Sequence, residues 1–131
     1  MIFVDTSAWC ASTFPADQHY VQARSWLDNN SEALFTTDYI IDESLTLLST
    51  RGERRRAINL GEQLLSDDLA TIYFLTVEDF RRAWKIYRGY TDKHWSFTDC
   101  TSKVIMESLG IAKAFSFDQH FRQFGNIEVV P

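Results

Sequence analysis

The 131-residue chain has little of what staples or divides a protein: two cysteines, two prolines and five glycines. Cys10 and Cys100 lie far apart and in no C-x-x-C pair, which excludes a disulfide framework or a cysteine-rich zinc site and leaves them as small buried thiols. Without a Pro/Gly-rich linker, a low-complexity tract or an internal repeat, the expectation is one domain over residues 1–131. Long hydrophobic runs are missing too. Ile2-Phe3-Val4 and Ile72-Tyr73-Phe74-Leu75 fall far short of the roughly 20 residues a membrane span needs. Asp5 interrupts the apolar N-terminus before a signal peptide could form, so a cytoplasmic protein with no membrane contact is expected. Positive charge is scarce: 13 Lys and Arg against 18 Asp and Glu give a net charge of -5. That balance excludes a protein that coats nucleic acid through bulk positive charge. It does not exclude nucleic-acid chemistry, because carboxylates gathered around metal ions also make a chain acidic. What is present is apolar: 45% of the residues are hydrophobic, enough at this length for a core without covalent staples.

The apolar residues fall into short runs alternating with helical periodicity. Ile2-Phe3-Val4 reads as a strand running into the helix-capping sequence Asp5-Thr6-Ser7. Helical spacing follows over about Asp17 to Asn29, then a strand at Ala33–Thr36 and a helix capped by Thr37 or Asp38 that stops at Arg51-Gly52. A helix from about Glu53 to Leu65 leads to a buried strand at Ala70–Phe74. Thr76–Asp79 has capping-box spacing for a helix reaching about Tyr90. Thr98 or Asp99 starts the next helix, which Gly110 stops, and Ala114–Phe117 and Ile127–Val130 are the last strands. Strands of four to six residues separated by helices predict an α/β fold with a parallel sheet covered on both faces.

In such sheets ligands bind at the carboxyl ends of the strands, and these ends deliver acids. Asp5 ends the first strand, Asp118 ends the strand Ala114–Phe117, Asp99 opens a helix, and Glu43 lies one turn into the helix after the second strand. Alone, each Asp is a helix cap and Glu43 a solvated residue. Together they come from four distant segments with no Lys or Arg beside any of them. Carboxylates crowded at one edge raise one another's pKa unless a cation joins them, and oxygen-only ligands select Mg²⁺ or Mn²⁺ over zinc. Two such ions can activate a water and stabilise the leaving oxygen of a phosphodiester, so the set predicts metal-dependent phosphoryl transfer. Asp42, Asp92 and Glu107 read as surface or outer charges.

The sequences Ile2-Phe3-Val4-Asp5-Thr6-Ser7, Asp42-Glu43, Ser96-Phe97-Thr98-Asp99 and Ser116-Phe117-Asp118-Gln119-His120-Phe121 with Gly125 resemble, in order and across the whole chain, the PIN-domain ribonucleases. Among these they are most similar to the VapC-type toxins of toxin-antitoxin pairs. The resemblance implies a three-layer α/β/α fold around a parallel sheet of about five strands, Mg²⁺ or Mn²⁺ held by the acids, and endonucleolytic cleavage of RNA. It places the catalytic and metal-binding quartet on Asp5, Glu43, Asp99 and Asp118, with Thr6 supporting it through hydrogen bonding. It also implies a cognate antitoxin protein as partner and a homodimer. Cys100, after the third acid, stands where a small residue is common. His120 adjoins the fourth acid, but the family does not use it as a ligand, and His19 and His94 receive no role.

P-loop and dinucleotide-binding functions are excluded by the lack of G-x-x-x-x-G-K-[ST] and G-x-G-x-x-G. A haloacid-dehalogenase-type phosphatase needs an acid where Ser7 stands, and a receiver domain leaves Asp99 and Asp118 unexplained. A PIN-like module that binds RNA or a partner without cutting is the alternative, disfavoured by the presence of all four acids. Basic residues gather at Arg51 with Arg54-Arg55-Arg56, and at Arg81, Lys85 and Arg88, which share one helix face and are expected to contact the RNA backbone. Trp9, Phe14, Tyr20 and Trp26 read mostly as core, with part of the set available to an antitoxin segment.

Overall fold

A computed structural model of the chain describes residues 1–66 and 68–131. Five strands, β1 (Ile2–Val4), β2 (Leu34–Thr37), β3 (Thr71–Tyr73), β4 (Lys113–Phe115) and β5 (Glu128–Val130), pair in parallel in the order β3-β2-β1-β4-β5. Six helices connect or flank them: α1 (Thr6–Thr13), α2 (Tyr20–Asn29), α3 (Asp38–Thr50), α4 (Arg54–Leu65), α5 (Val77–Gly89) and α6 (Phe97–Leu109). This is the expected three-layer α/β/α architecture. All three β1 residues are buried, so alternate side chains meet cover on both faces of the sheet. Phe3 packs on Phe35 of β2 and on Phe121, while Trp26 of α2 lies on Phe115 of β4 with ring centroids 4.2 Å apart. Among the described residues no helix is long and apolar enough to cross a membrane.

The boundaries depart from the sequence expectations where polar side chains capture the backbone. The Asp17 carboxylate accepts from the His19 amide at 2.8 Å, holding residues 17–19 in a turn, so α2 begins at Tyr20 and not at Asp17. Ser96, not Thr98 or Asp99, caps α6: its hydroxyl accepts from the Asp99 amide while the Asp99 carboxylate accepts from the Ser96 amide, both at 3.0 Å. β4 stops at Phe115 because the Ser116 hydroxyl accepts from the Asp118 amide at 3.0 Å and turns the chain into a 3₁₀ helix over Gln119–Gln123. Asp118 therefore stands in a turn beyond the strand and not at its end. β3 is half-exposed, not buried, because it is an edge strand whose outer side has no neighbour. Cys10 and Cys100 are buried and unpaired, and burial pushes their thiols up to about 12 and about 11.

Candidate functional site

Register builds the site. Val4 of β1 pairs with Phe115 of β4, so one step further along the two strands brings Asp5 beside Ser116, and the Asp5 amide donates to the Phe115 carbonyl at 3.1 Å. Asp5 also caps α1, which turns its carboxyl over the carboxyl edge of the sheet. Two hydroxyls hold one oxygen of that carboxyl: Ser7 Oγ donates to Asp5 Oδ2 at 2.8 Å and Ser116 Oγ at 3.0 Å. Ser7 Oγ in turn accepts from the Phe117 amide at 2.9 Å, which ties the β1–α1 turn to the turn after β4.

The same division of oxygens recurs at the other two aspartates. Asp99 Oδ2 accepts from the Ser96 amide at 3.0 Å and from His120 Nδ1 at 2.9 Å. Asp118 Oδ1 accepts from the His120 amide at 2.9 Å. Among the described residues, Asp5 Oδ1, Asp99 Oδ1 and Asp118 Oδ2 accept no hydrogen bond. Ligand atoms of Asp99, Asp118 and His120 lie within 4.8 Å of one another. Glu43, on α3, lies close enough to Asp99 and Asp118 for their charges to raise its pKa. The fold thus brings all four expected acids to one edge of the sheet.

Charge balance at this edge is poor. Asp5 and Asp99 are buried, and none of the four acids pairs with a Lys or Arg among the described residues. Burial pushes Asp5 up to about 7 against the hydrogen bonds of Ser7 and Ser116, and the charges of Asp99 and Asp118 add to the rise. Glu43 is raised by burial and by the same two charges, while the hydroxyls of Thr6 and Thr98 pull it partly back. Thr6 Oγ1 is buried beside Glu43 with no strict hydrogen bond among the described residues, while Ser7 and Ser116 hold Asp5. A divalent cation fits here on three observations: oxygen donors with one lone-pair face free, an orphaned buried hydroxyl beside them, and carboxyls whose burial opposes ionisation until a cation joins them.

Other expected residues fall outside this edge. Arg81, Lys85 and Arg88 are exposed along α5, and none lines the cavity that holds Asp5, Glu43 and Asp118. Arg54 and Arg55 are exposed, and Arg56 pairs with Glu53 at 2.8 Å. The linking role of His120 is what sequence reasoning missed: its ring bonds Asp99 and its amide bonds Asp118, joining the third and fourth acids. Its position two residues after Asp118 was the only available signal.

The PIN domain family model matches residues 2–127. The chain is 30% identical over 131 residues to the 23S rRNA-specific endonuclease VapC20 of Mycobacterium tuberculosis, covering 100% of this chain and 99% of that protein. It is 32% identical over 89 residues to a VapC ribonuclease of Archaeoglobus fulgidus, covering 67% of this chain and 55% of that one. The crystal structure of M. tuberculosis VapC20, described as a sarcin-ricin loop cleaving toxin, superposes with a TM-score of 0.93 at 27% identity over all of both chains. The sheet order, the acid-bearing edge, the family model over residues 2–127 and a relative aligned from end to end lead to one assignment: this chain belongs to the PIN-domain family, as a homologue of the VapC proteins.

Proposed function

We propose that this chain is a divalent-metal-dependent endoribonuclease, the toxin of a toxin-antitoxin pair, with Asp5, Glu43, Asp99 and Asp118 as its metal-binding and catalytic acids. The observation that carries the reading is Asp5: a buried carboxyl beside Asp99 and Asp118, with one oxygen fixed by two serines and, among the described residues, no Lys or Arg paired with it. The names of the VapC relatives support RNA as the substrate class.

The chain's own residues prepare the site. Ser7 and Ser116 fix Asp5 Oδ2, while Ser96 and His120 fix Asp99 Oδ2, so the two opposite oxygens are aimed with little side-chain freedom left to lose. With its pKa at about 7, Asp5 is partly protonated at neutral pH and must release that proton to hold a cation. Thr6 Oγ1, buried beside Glu43, would support the acids that hold the cation. Bound by these oxygens, Mg²⁺ or Mn²⁺ would supply Lewis acidity toward a phosphodiester and make an attacking water a stronger nucleophile. His120 acts as a positioning residue because its Nδ1 is committed to Asp99.

On this reading residues 1–131 act as one PIN domain, in the cytoplasm and as a homodimer, inhibited by an antitoxin protein. Arg81, Lys85 and Arg88 take RNA phosphates beyond the metal site. Purified, antitoxin-free protein should cut 23S ribosomal RNA, the substrate named for VapC20, with Mg²⁺ or Mn²⁺ present, and EDTA should stop it. Intact RNA under both conditions, read on a denaturing gel, would remove this proposal.

A further inference from the structure

Three of the four acids, Asp5, Glu43 and Asp118, line one cavity. It has a volume of about 660 Å³ and continues past Asp5, Glu43 and Asp118 to Cys10, Asp17, His19, Arg51 and Phe117. Arg51 is the one Lys or Arg among its lining residues, facing a wall otherwise rich in carboxylates. Glu43 and Leu47 on α3 and Arg51, its C-cap residue, are spaced i, i+4, i+8, so this line runs from the acid end to the basic end, about 12 Å at the usual helical rise.

Asp17 organises the basic end. Its Oδ1 accepts from the His19 amide at 2.8 Å, which fixes the turn that carries the imidazole. Its Oδ2 lies 3.9 Å from Arg51 Nη1, a loose pairing that leaves other donors of the guanidinium fork free. His19 lies parallel to Phe117, with ring centroids 4.4 Å apart and planes 5° from parallel. Phe117 adjoins Asp118, and its amide is held by Ser7 Oγ, so the stacked pair is anchored to the same turn as the fourth acid.

A cation for a phosphate and a flat aromatic pair for a base, one cavity length from carboxylates suited to metal ions, form a nucleotide-sized recognition element. The geometry points to a subsite for single-stranded RNA next to the scissile bond: Arg51 takes a backbone phosphate one or two nucleotides away, and the His19–Phe117 pair supports a splayed base. Arg51 here is a phosphate-binding residue and His19 a base-stacking one. Phosphate contact sets register, and stacking favours unpaired over duplex RNA because only an unstacked base exposes its face. This subsite rests on the endoribonuclease reading and deepens it.

Two readouts on one labelled single-stranded RNA dodecamer test it: fluorescence anisotropy in EDTA for binding, and cleavage in Mg²⁺ for kcat and KM. Arg51→Ala should raise Kd about tenfold and reduce the slope of log K against log salt by about one, while Arg51→Lys keeps the slope. His19→Ala should raise KM by roughly five- to tenfold with kcat little changed, and His19→Phe should restore it. The thermal shift produced by Mn²⁺ should match wild type in every variant, which separates a lost subsite from a lost fold. Wild-type affinity and salt slope for Arg51→Ala, together with wild-type KM for His19→Ala, overturn the subsite. So does a wild-type protein that binds no RNA. A wild-type protein that binds RNA but never cuts it overturns the endoribonuclease reading, and the subsite is then decided by the anisotropy alone.

Discussion

Two capping boxes in this molecule are built alike and lead to opposite chemistry. Thr76 and Asp79 open α5 as Ser96 and Asp99 open α6, and both aspartates are buried. Asp79 Oδ2 accepts from the Tyr73 hydroxyl at 2.7 Å and from the Thr76 amide at 3.0 Å. Burial alone would raise its pKa, but the hydrogen bonds of Tyr73 and Thr76 outweigh it and hold the carboxyl below the usual range. Asp99 has the same local bonds with a histidine in place of the tyrosine, yet it shares its surroundings with Asp5 and Glu43, whose pKa values it helps to raise. One box is content as an anion; the other stands in a group that needs a cation. The capping motif is a local property, whereas the charge environment is delivered by strands and turns far away in the sequence.

The largest expected effect separates the two aspartates by what their loss removes. Asp99→Asn should lower RNA cleavage by about a hundredfold or more while leaving the melting temperature near wild type. Asp79→Ala should leave cleavage near wild type but destabilise the fold by about 1–3 kcal/mol, through loss of a cap and of a charged hydrogen-bond acceptor. Equal loss of activity in both variants, measured on protein shown to be folded by circular dichroism, would erase the distinction.

The second effect concerns protons. A carboxyl raised in the folded state to about 7 from 3.8 opposes folding increasingly as pH rises between those values, and in full above about 7. Metal-free Asp5→Asn should therefore be more stable than wild type at pH 8, by up to about 4 kcal/mol, and converge with it below about pH 4. Asp79, lowered in the folded state, has the opposite sign: its contribution is present above the ordinary carboxylate value and is lost as pH falls through its depressed one. Added Mn²⁺ should raise the melting temperature of wild type but not of Asp5→Asn, and this shift should shrink as pH drops below about 7 because protons compete for Asp5. Calorimetric scans across pH, with and without Mn²⁺, check all of these.

The smallest effect lies on the outer surface of α5. Lys85→Ala combined with Arg88→Ala should weaken RNA binding a few-fold at low salt and flatten its salt dependence, with Mn²⁺ binding unchanged. An unaltered salt slope would assign that stripe to solvation.

How much of this was legible in the sequence follows the same division between local and distant. The Thr76–Asp79 box, the Gly110 stop and the five strands were read from neighbours within a few positions, and they stand where they were expected within a few residues. The four acids were legible as a set because strand ends converge in a parallel sheet. What was not legible is pairing across the chain. Nothing near Ser7 announces that it bonds Asp5 and Phe117 while Thr6 stays unpartnered, since that choice is made by the β1–β4 register. His120 and His19 carry no ligand spacing, and their partners, Asp99 and Phe117, are assigned by how the turns fold back. The exposure of β3 depends on its being last in the sheet, which strand content alone does not specify.

Ser7 and Ser116 stand 109 residues apart, and their meeting at Asp5 makes the aim of that carboxyl a report on the pairing of β1 with β4. A slip of that register by one residue would carry Ser116 away from Asp5 and leave Ser7 alone to hold the oxygen. The aim of the Asp5 carboxyl is therefore as secure as the pairing of those two strands, and whatever loosens β4 from β1 unsettles the site without touching an acid.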